Sequence, residues 1–379
     1  MNRRVFLRST AVAGGIGIAG CLERLGFEEE SAWANPPLVD DRPDAVYLPA
    51  GIEEMGHYGR ASDGDYAVEL TYTIPHRFWI VAGDTEQVDV EPDDSMHLML
   101  TVWDVETDTV LPVNVSLELL RDDGSVVDRF SPWAMLSQRM GFHYGDNVSL
   151  PAEGEYTTRI EVGPVDAERV GAFEGRFDES STLEIDFTFE RSDIHDLEFD
   201  LIDDDRRGNR GALELMDHGD HEHGEHGGDH DDHGAGAHDG HDPGRPPTSD
   251  GPPIEDLAGD HLGTERSADA RISAFVTDDG RLSDDGAYLV VCPRTPHNDV
   301  SLPFGSLNVT VERNGSTVHE HESLAETLDH EYGHHYGTEL DGLEDGDELT
   351  VAVDSPPHVS RHDGYETAFF DFEDVTFAS

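Results

Sequence analysis

Basic residues are scarce: 24 Lys and Arg stand against 83 Asp and Glu, a formal net charge of −59 over 379 residues. With no basic footprint to release counterions from phosphate, nucleic acid is excluded as a natural partner. Cysteine is almost absent. Cys21 belongs to an N-terminal leader, so Cys292 is left alone and no intrachain disulfide framework is available. Beside Val290 and Val291, Cys292 reads as a core strand residue rather than a ligand. No apolar run is long enough to span a bilayer, and no long stretch has helical periodicity. A chain this acidic could be disordered, but its apolar residues recur in alternating runs that include Trp79, Trp103 and Trp133. A folded protein with a surface solvated for molar salt fits better, because there the Debye length falls to roughly 3 Å and self-repulsion is screened. The style is haloarchaeal, which speaks to habitat and not to activity.

What the chain does have, it has twice. Met140-Gly141-Phe142-His143-Tyr144-Gly145 is echoed by Tyr332-Gly333-His334-His335-Tyr336-Gly337. Gly154-Glu155 and Gly346-Asp347 follow at the same distance, and each copy then runs to a proline, Pro164 or Pro356. Upstream, Met96-His97-Leu98-Met99-Leu100 lies as far before His143 as Tyr288-Leu289-Val290-Val291-Cys292 lies before His335. Leu111-Pro112 pairs with Leu302-Pro303, and Arg121-Asp122-Asp123-Gly124 with Arg313-Asn314-Gly315. Spacing shared over so long a stretch is an internal duplication.

The organisation follows from this. Residues 1–21 carry Arg3-Arg4-Val5-Phe6-Leu7 and end at Ile18-Ala19-Gly20-Cys21, the pattern of a twin-arginine lipoprotein signal with Cys21 as the lipidated residue. The expected location is therefore the outer face of the cell membrane. Residues 22–60 read as a tether and 61–200 as a first domain; 201–262 form an acidic linker and 263–379 a second domain. Period-two runs such as Tyr66–Thr73, Met96–Trp103, Val115–Leu120 and Tyr156–Val162, separated by turn residues, predict an all-β fold of two antiparallel sandwiches. Between them, over residues 217–242, His218, His221, His223, His226, His230, His233, His238 and His241 are interleaved with Gly and nine acids. That stretch cannot bury a core, so a solvated, disordered linker able to trap divalent cations is expected, with a plain polar spacer as the alternative.

Within the domains, the first copy offers Met135, Met140 and His143, with His76, the pair Met96-His97 and the carboxylate of Glu69. Thioether with imidazole suits copper; imidazole with carboxylate suits iron or zinc. The second copy offers His334 and His335, with His297 and with His362 in Ser360-Arg361-His362. By spacing, Arg361-His362 is set against Arg176-Phe177, so the two halves carry different ligand sets. They either hold partial sites of their own or meet in one. His330-Glu331-Tyr332-Gly333-His334 matches the H-E-x-x-H zinc-protease motif, which needs both histidines on one face of a continuous helix. The bracketing Gly333 and Gly337 and the β pattern that resumes at Glu348 make a metalloprotease a remote alternative.

These residues resemble the secreted iron-transport accessory proteins, an immunoglobulin-like, metal-binding and typically dimeric family that accompanies iron permeases. The likeness is carried by Met135 or Met140 before Gly141-Phe142-His143-Tyr144-Gly145, and by Ser360-Arg361-His362 with Glu366-Thr367. It implies immunoglobulin-like domains that bind copper or iron. The ligands it implies are His143, Met135 or Met140, and His76 in the first domain, which lacks the late histidine, with His335 and His362 in the second. Glu69 and His76 would correspond to the family's early acid/His element. It further implies a membrane metal permease as partner, and a tandem chain that mimics the family's dimer, or itself a homodimer. The expectation is a lipid-anchored, non-enzymatic protein that captures iron or copper (zinc being a third option) and passes it to a transporter, with a metal redox role left open. The competing class is a surface adhesion or structural protein using its sandwiches as spacers. The sequons at Asn114, Asn147, Asn308 and Asn314 suit either. Whether His143, His335 and His362 converge is what separates the two.

Overall fold

The structure is a computed structural model that describes residues 38–216, 244–283 and 286–379. Cys21 of the expected leader, and the histidines from His218 to His241 of the expected linker, lie outside these residues. The first half contributes β1 (Gly51–Glu53), β2 (Gly56–Asp63), β3 (Tyr66–Thr73), β4 (Phe78–Ala82), β5 (Asp84–Val88), β6 (Met96–Asp104), β7 (Thr109–Val110) and β8 (Val115–Arg121). It continues through β9 (Val126–Phe130), β10 (Trp133–Ser137), β11 (Gly141–Val148), β12 (Gly154–Val162), β13 (Glu168–Arg169), β14 (Ser181–Phe189) and β15 (Phe199–Leu201). The second half holds β16 (Asp260–Ser267), β17 (Ala270–Thr277), β18 (Ala287–Arg294), β19 (Ser306–Arg313) and β20 (Ser316–Asp329). After these come β21 (Gly333–Leu340), β22 (Glu348–Ser355), β23 (Ser360–Arg361) and β24 (Val375–Ala378). The all-β expectation holds.

In the first half a large sheet, ordered β2-β3-β6-β11-β10-β23-β4-β5, packs on a four-stranded sheet ordered β14-β12-β8-β9. Alternation dictates which side chains meet. Val68 and Leu70 of β3, Leu98, Leu100 and Val102 of β6, and Phe142 and Tyr144 of β11 enter the shared core with Leu117, Ile160, Ile185 and Phe187 of the smaller sheet. The second half forms one sheet, β16-β17-β18-β21-β20-β19-β22-β24, whose end strands β16 and β24 approach each other so that it nearly closes. The halves differ here for a local reason. β20 runs unbroken, pairing with β19 up to Leu324 and with β21 from Ala325 onward. At the matching place the first half has Pro132, which lacks the N–H a ladder needs, and the strand divides into β9 and β10 on different sheets.

The halves also trade strands. β23 of the second half inserts beside β10, parallel, with Met135 opposite Ser360 and Leu136 opposite Arg361. β13 of the first half lies parallel to β20 in the same register, Glu168 opposite Thr327 and Arg169 opposite Leu328. The counterpart of Arg361-His362 is therefore Arg169-Val170 and not Arg176-Phe177. Arg176 is instead occupied by Asp65 and Asp104, at 2.9 and 2.5 Å.

Packing begins before the boundary expected at residue 61. Ala45, Val46 and Tyr47 are fully buried, and β2 starts at Gly56, so the supposed tether is, from Ala45 on, part of the fold. Its composition misleads because the segment is held by polar bonds as much as by apolar contact. Tyr47 donates its backbone N–H to the Gly364 carbonyl at 3.1 Å and its hydroxyl to Glu366 at 2.5 Å. Similarly, Ile254 and Leu257 are buried and β16 begins at Asp260, so the end of the expected linker is structured.

Candidate metal centre

The repeated hexapeptide opens β11 and β21, and its glycines do two jobs. Gly141 and Gly333 stand at φ of 68° and 69°, a conformation that costs glycine little. Each turns its carbonyl onto the histidine two residues on: His143 Nδ1 lies 3.1 Å from Gly141 O, and His335 Nδ1 lies 3.0 Å from Gly333 O. A carbonyl only accepts, so Nδ1 carries the proton and Nε2 is left with a lone pair. The second glycines permit close approach. A Cβ on Gly145 would meet His97 Nε2 at 2.7 Å and Met135 Sδ at 3.2 Å.

Alternation gathers the rest of the site. On β6, His97 and Met99 face away from the core that takes Leu98 and Leu100; on β11, His143, Gly145 and Asn147 share that outer face. Met135 on β10 lies opposite His143. β23 then brings His362, whose backbone N–H donates to Leu136 O at 3.0 Å and whose Nε2 is 3.3 Å from Met135 Sδ. His76, just ahead of β4, closes the group with its Nε2 3.0 Å from His362 Nδ1. Ligand atoms of His76, His97 and His362 lie within 4.8 Å of one another, and the His143 and His362 rings are 5.2 Å apart.

The surrounding bonds set each ring. Asn147 Nδ2 donates to the His76 carbonyl at 2.9 Å, which points Asn147 Oδ1 at His97 Nδ1, also 2.9 Å away. His97 therefore donates through Nδ1 and keeps its Nε2 lone pair. His76 Nδ1 faces Ile74 O at 3.0 Å and the Glu53 carboxylate at 2.9 Å, giving the same tautomer. This is the outer-shell arrangement that orients imidazole toward a metal. Arg77 grips Asp363 with two bonds, 3.1 and 2.6 Å, and so pins the residues next to His76 and His362 together. Burial holds His97 and His362 well below the ordinary imidazole value and His143 down to about 4. Burial also pulls on His76, but the Glu53 charge and hydrogen bond outweigh it and leave that ring raised.

Nε2 of both His97 and His143 is buried without a hydrogen-bond partner. An unsatisfied buried polar atom costs about 1–3 kcal/mol, so two beside a thioether need a reason. A metal ion bound through the lone pairs of His97, His143, His76 or His362 and the sulfur of Met135 supplies one, and the donor set fits. A neighbouring cavity of about 110 Å³ is lined by Glu53, His76, Met99, Met140, His362 and Asp363 among others.

A domain of unknown function (DUF7350) matches residues 255–378. No curated protein matches the chain. Among solved structures, FetP of a uropathogenic Escherichia coli strain is 18% identical, covering 36% of this chain and 96% of its own, with a TM-score of 0.29. Copper-reconstituted P19 of Campylobacter jejuni is 15% identical over 36% of this chain and 96% of its own, at a TM-score of 0.27.

The second half does not repeat the centre. Around His335 the positions of Met135 and His362 are taken by Thr327 and Val170. Tyr288 does there what His97 does in the first half: its hydroxyl fills the space above Gly337, where a Cβ would meet it at 2.3 Å. His335 Nε2 is also buried and unpartnered, so an orphan nitrogen alone does not make a site; convergence does. The pairing of His335 with His362 is thus corrected, because strand exchange carries His362 to the first half.

Other candidates fall elsewhere. Met140 lines the cavity, leaving Met135 as the sulfur beside the histidines. Glu69 lies opposite Thr101 and is bound by Arg60 at 2.7 Å, with His57 at 3.5 Å. The acid at the centre is Glu53. His297 sits exposed in a turn. His334 is held by Glu326 at 2.7 Å and opens β21, while His330–Tyr332 form a turn. The helix that H-E-x-x-H requires is not formed. Glu53 is missed from sequence because its segment reads as tether. His97 carries a legible signal, a lone polar residue in an apolar alternating strand, as does Asn147 two residues after Gly145.

Proposed function

We propose that this protein is an exported metal-binding protein that captures copper and delivers it, or iron, to a membrane transporter. The observation that carries the reading is the convergence of His76, His97 and His362, whose ligand atoms lie within 4.8 Å of one another, with Met135 and His143 beside His362 and the Nε2 atoms of His97 and His143 buried without a partner. Imidazoles with a thioether favour copper over magnesium, calcium or other hard ions. His97, His143 and His362, lowered by burial, load without competition from protons until the medium is distinctly acid, whereas His76, raised by Glu53, must give up its proton to bind. Cys21 lipidation would hold the protein at the outer membrane face, and the histidine-rich segment would concentrate cations near it. The crossed strands β13 and β23 would let one chain do what two copies do in a dimer. A surface spacer has no use for such a centre, which weighs against the adhesion reading.

The test is copper titration of the full-length chain with the eight linker histidines replaced by serine. One equivalent should bind tightly, with nitrogen and sulfur donors visible by X-ray absorption. Binding should vanish in His143→Ala/His362→Ala and survive His335→Ala. Copper lost entirely with the linker histidines would refute the folded site.

A further inference from the structure

The chain has 7 methionines, and four of them lie together. Met55, Met99, Met140 and Met216 form a buried cluster separate from the three aliphatic and aromatic cores. They come from four places: the link between β1 and β2, strand β6, the turn before β11, and the segment after β15. Met216 is fastened there by its backbone N–H, which donates to Arg139 O at 2.8 Å. Met55, Met99 and Met140 line the same cavity as His76 and His362. Met99 is two residues beyond His97 on the same face of β6 and lies opposite Gly145, beneath His97 and Met135.

Packing alone is a weak reason for this composition. Leucine fills such space with better-defined rotamers, whereas methionine is flexible and brings a polarisable sulfur. The cavity's charged lining, Glu53 and Asp363 against Arg77 and Arg139, balances, so the lining offers no excess of carboxylates to a hard divalent ion. Neutral thioethers select soft ions such as Cu(I). We propose that Met55, Met99, Met140 and Met216 form a second, all-thioether site for a soft monovalent metal ion, adjoining the histidine centre through the shared cavity. The inference rests on the proposed histidine–methionine centre for where the ion goes next, and not for the cluster's own binding. Met216 immediately precedes Asp217-His218, so the histidine-rich segment is joined in sequence to one member of the cluster.

The experiment labels methionine methyl groups with ¹³C in the full-length protein and titrates Ag(I), a redox-inert probe of Cu(I) sites, in chloride-free nitrate. The methyl signals of the four residues should shift together within the first equivalents, and equimolar Zn(II) should leave them still. Met99→Leu/Met140→Leu, which conserves volume, should weaken Ag(I) binding at the remaining cluster methyls at least about tenfold without altering the fold. Shifts confined to Met135 would overturn the cluster site while leaving the histidine centre intact. Cluster shifts with Met135 unmoved would sustain this site and remove the centre as the ion's destination. No methyl shift at all would overturn both.

Discussion

Replacing Gly145 by alanine tests the centre without removing any ligand. The added Cβ would stand 2.7 Å from His97 Nε2 and 3.2 Å from Met135 Sδ. The first distance is shorter than real Cβ contacts tolerate, so an atom must move. His97 cannot simply withdraw: Asn147 holds its Nδ1 at 2.9 Å, and its ring lies 4.1 Å from that of His76. The two donors would be driven apart by several tenths of an ångström, beyond the roughly 0.2 Å tolerance of metal–ligand distances. Copper affinity should fall about 10–100-fold, equivalent to about 1.4–2.7 kcal/mol, the range seen when ligand orientation is disturbed. Overpacking should also lower stability by about 1–3 kcal/mol.

That second effect needs a control, and the duplication provides one. At Gly337 a Cβ would meet Tyr288 Oη at 2.3 Å, so Gly337→Ala should destabilise comparably while leaving copper affinity unchanged. Both variants would be measured by copper calorimetry and thermal denaturation in the linker-serine background. The reasoning is refuted if Gly145→Ala binds copper as tightly as its parent, or if Gly337→Ala loses as much.

Asp363→Asn breaks the charge-assisted pair with Arg77 and should cost about 1.5–3 kcal/mol in chemical denaturation, with weaker copper binding because β23 positions His362. Burial lowers His335 to about 4 in the folded chain against about 6.5 unfolded, so its contribution is complete above pH 6.5 and is lost as pH falls toward 4. Denaturation across that window should show about 3 kcal/mol from this group, and His335→Phe should flatten the slope by that amount. Separately expressed halves divided within the linker should bind each other on a sizing column, since each contains a strand that pairs in the other. Independent, monomeric halves would contradict the exchange.

The sandwiches were legible because alternation records which face of a strand is buried, and the hexapeptide was legible because its glycines and histidine are all needed at once. Gly141 supplies the turn and the carbonyl, His143 the donor, and Gly145 the room for His97. The same logic reads His97, offered by the sequence in the pair Met96-His97, as a polar side chain in the middle of Met96–Leu100. Glu53 was not readable. Its strand has three residues and pairs with one equally short, so nothing in its composition separates it from a tether. The exchange of β13 and β23 was hidden for a related reason. Two-residue strands have no periodicity, and their partners lie far off in sequence.

The exchange is common to both halves, so the reason for one candidate centre among the described residues, instead of two, lies in the side chains. In each half the outer face of β10–β11, or of β20–β21, is completed by the residue that follows a strand from the other half. His362 donates its N–H to Leu136 O at 3.0 Å; Val170 donates to Leu328 O at 3.1 Å. The frame is conserved between the halves while the side chains upon it have parted. One position received imidazole and thioether, the other valine, threonine and a tyrosine that fills the gap over Gly337. The first half cannot bind metal through His362 unless the second half is folded against it. The second half, with no such cluster among its described residues, contributes to this one by holding β23 in register. Substitutions that loosen β23 from the second half should therefore weaken metal binding in the first without touching a ligand.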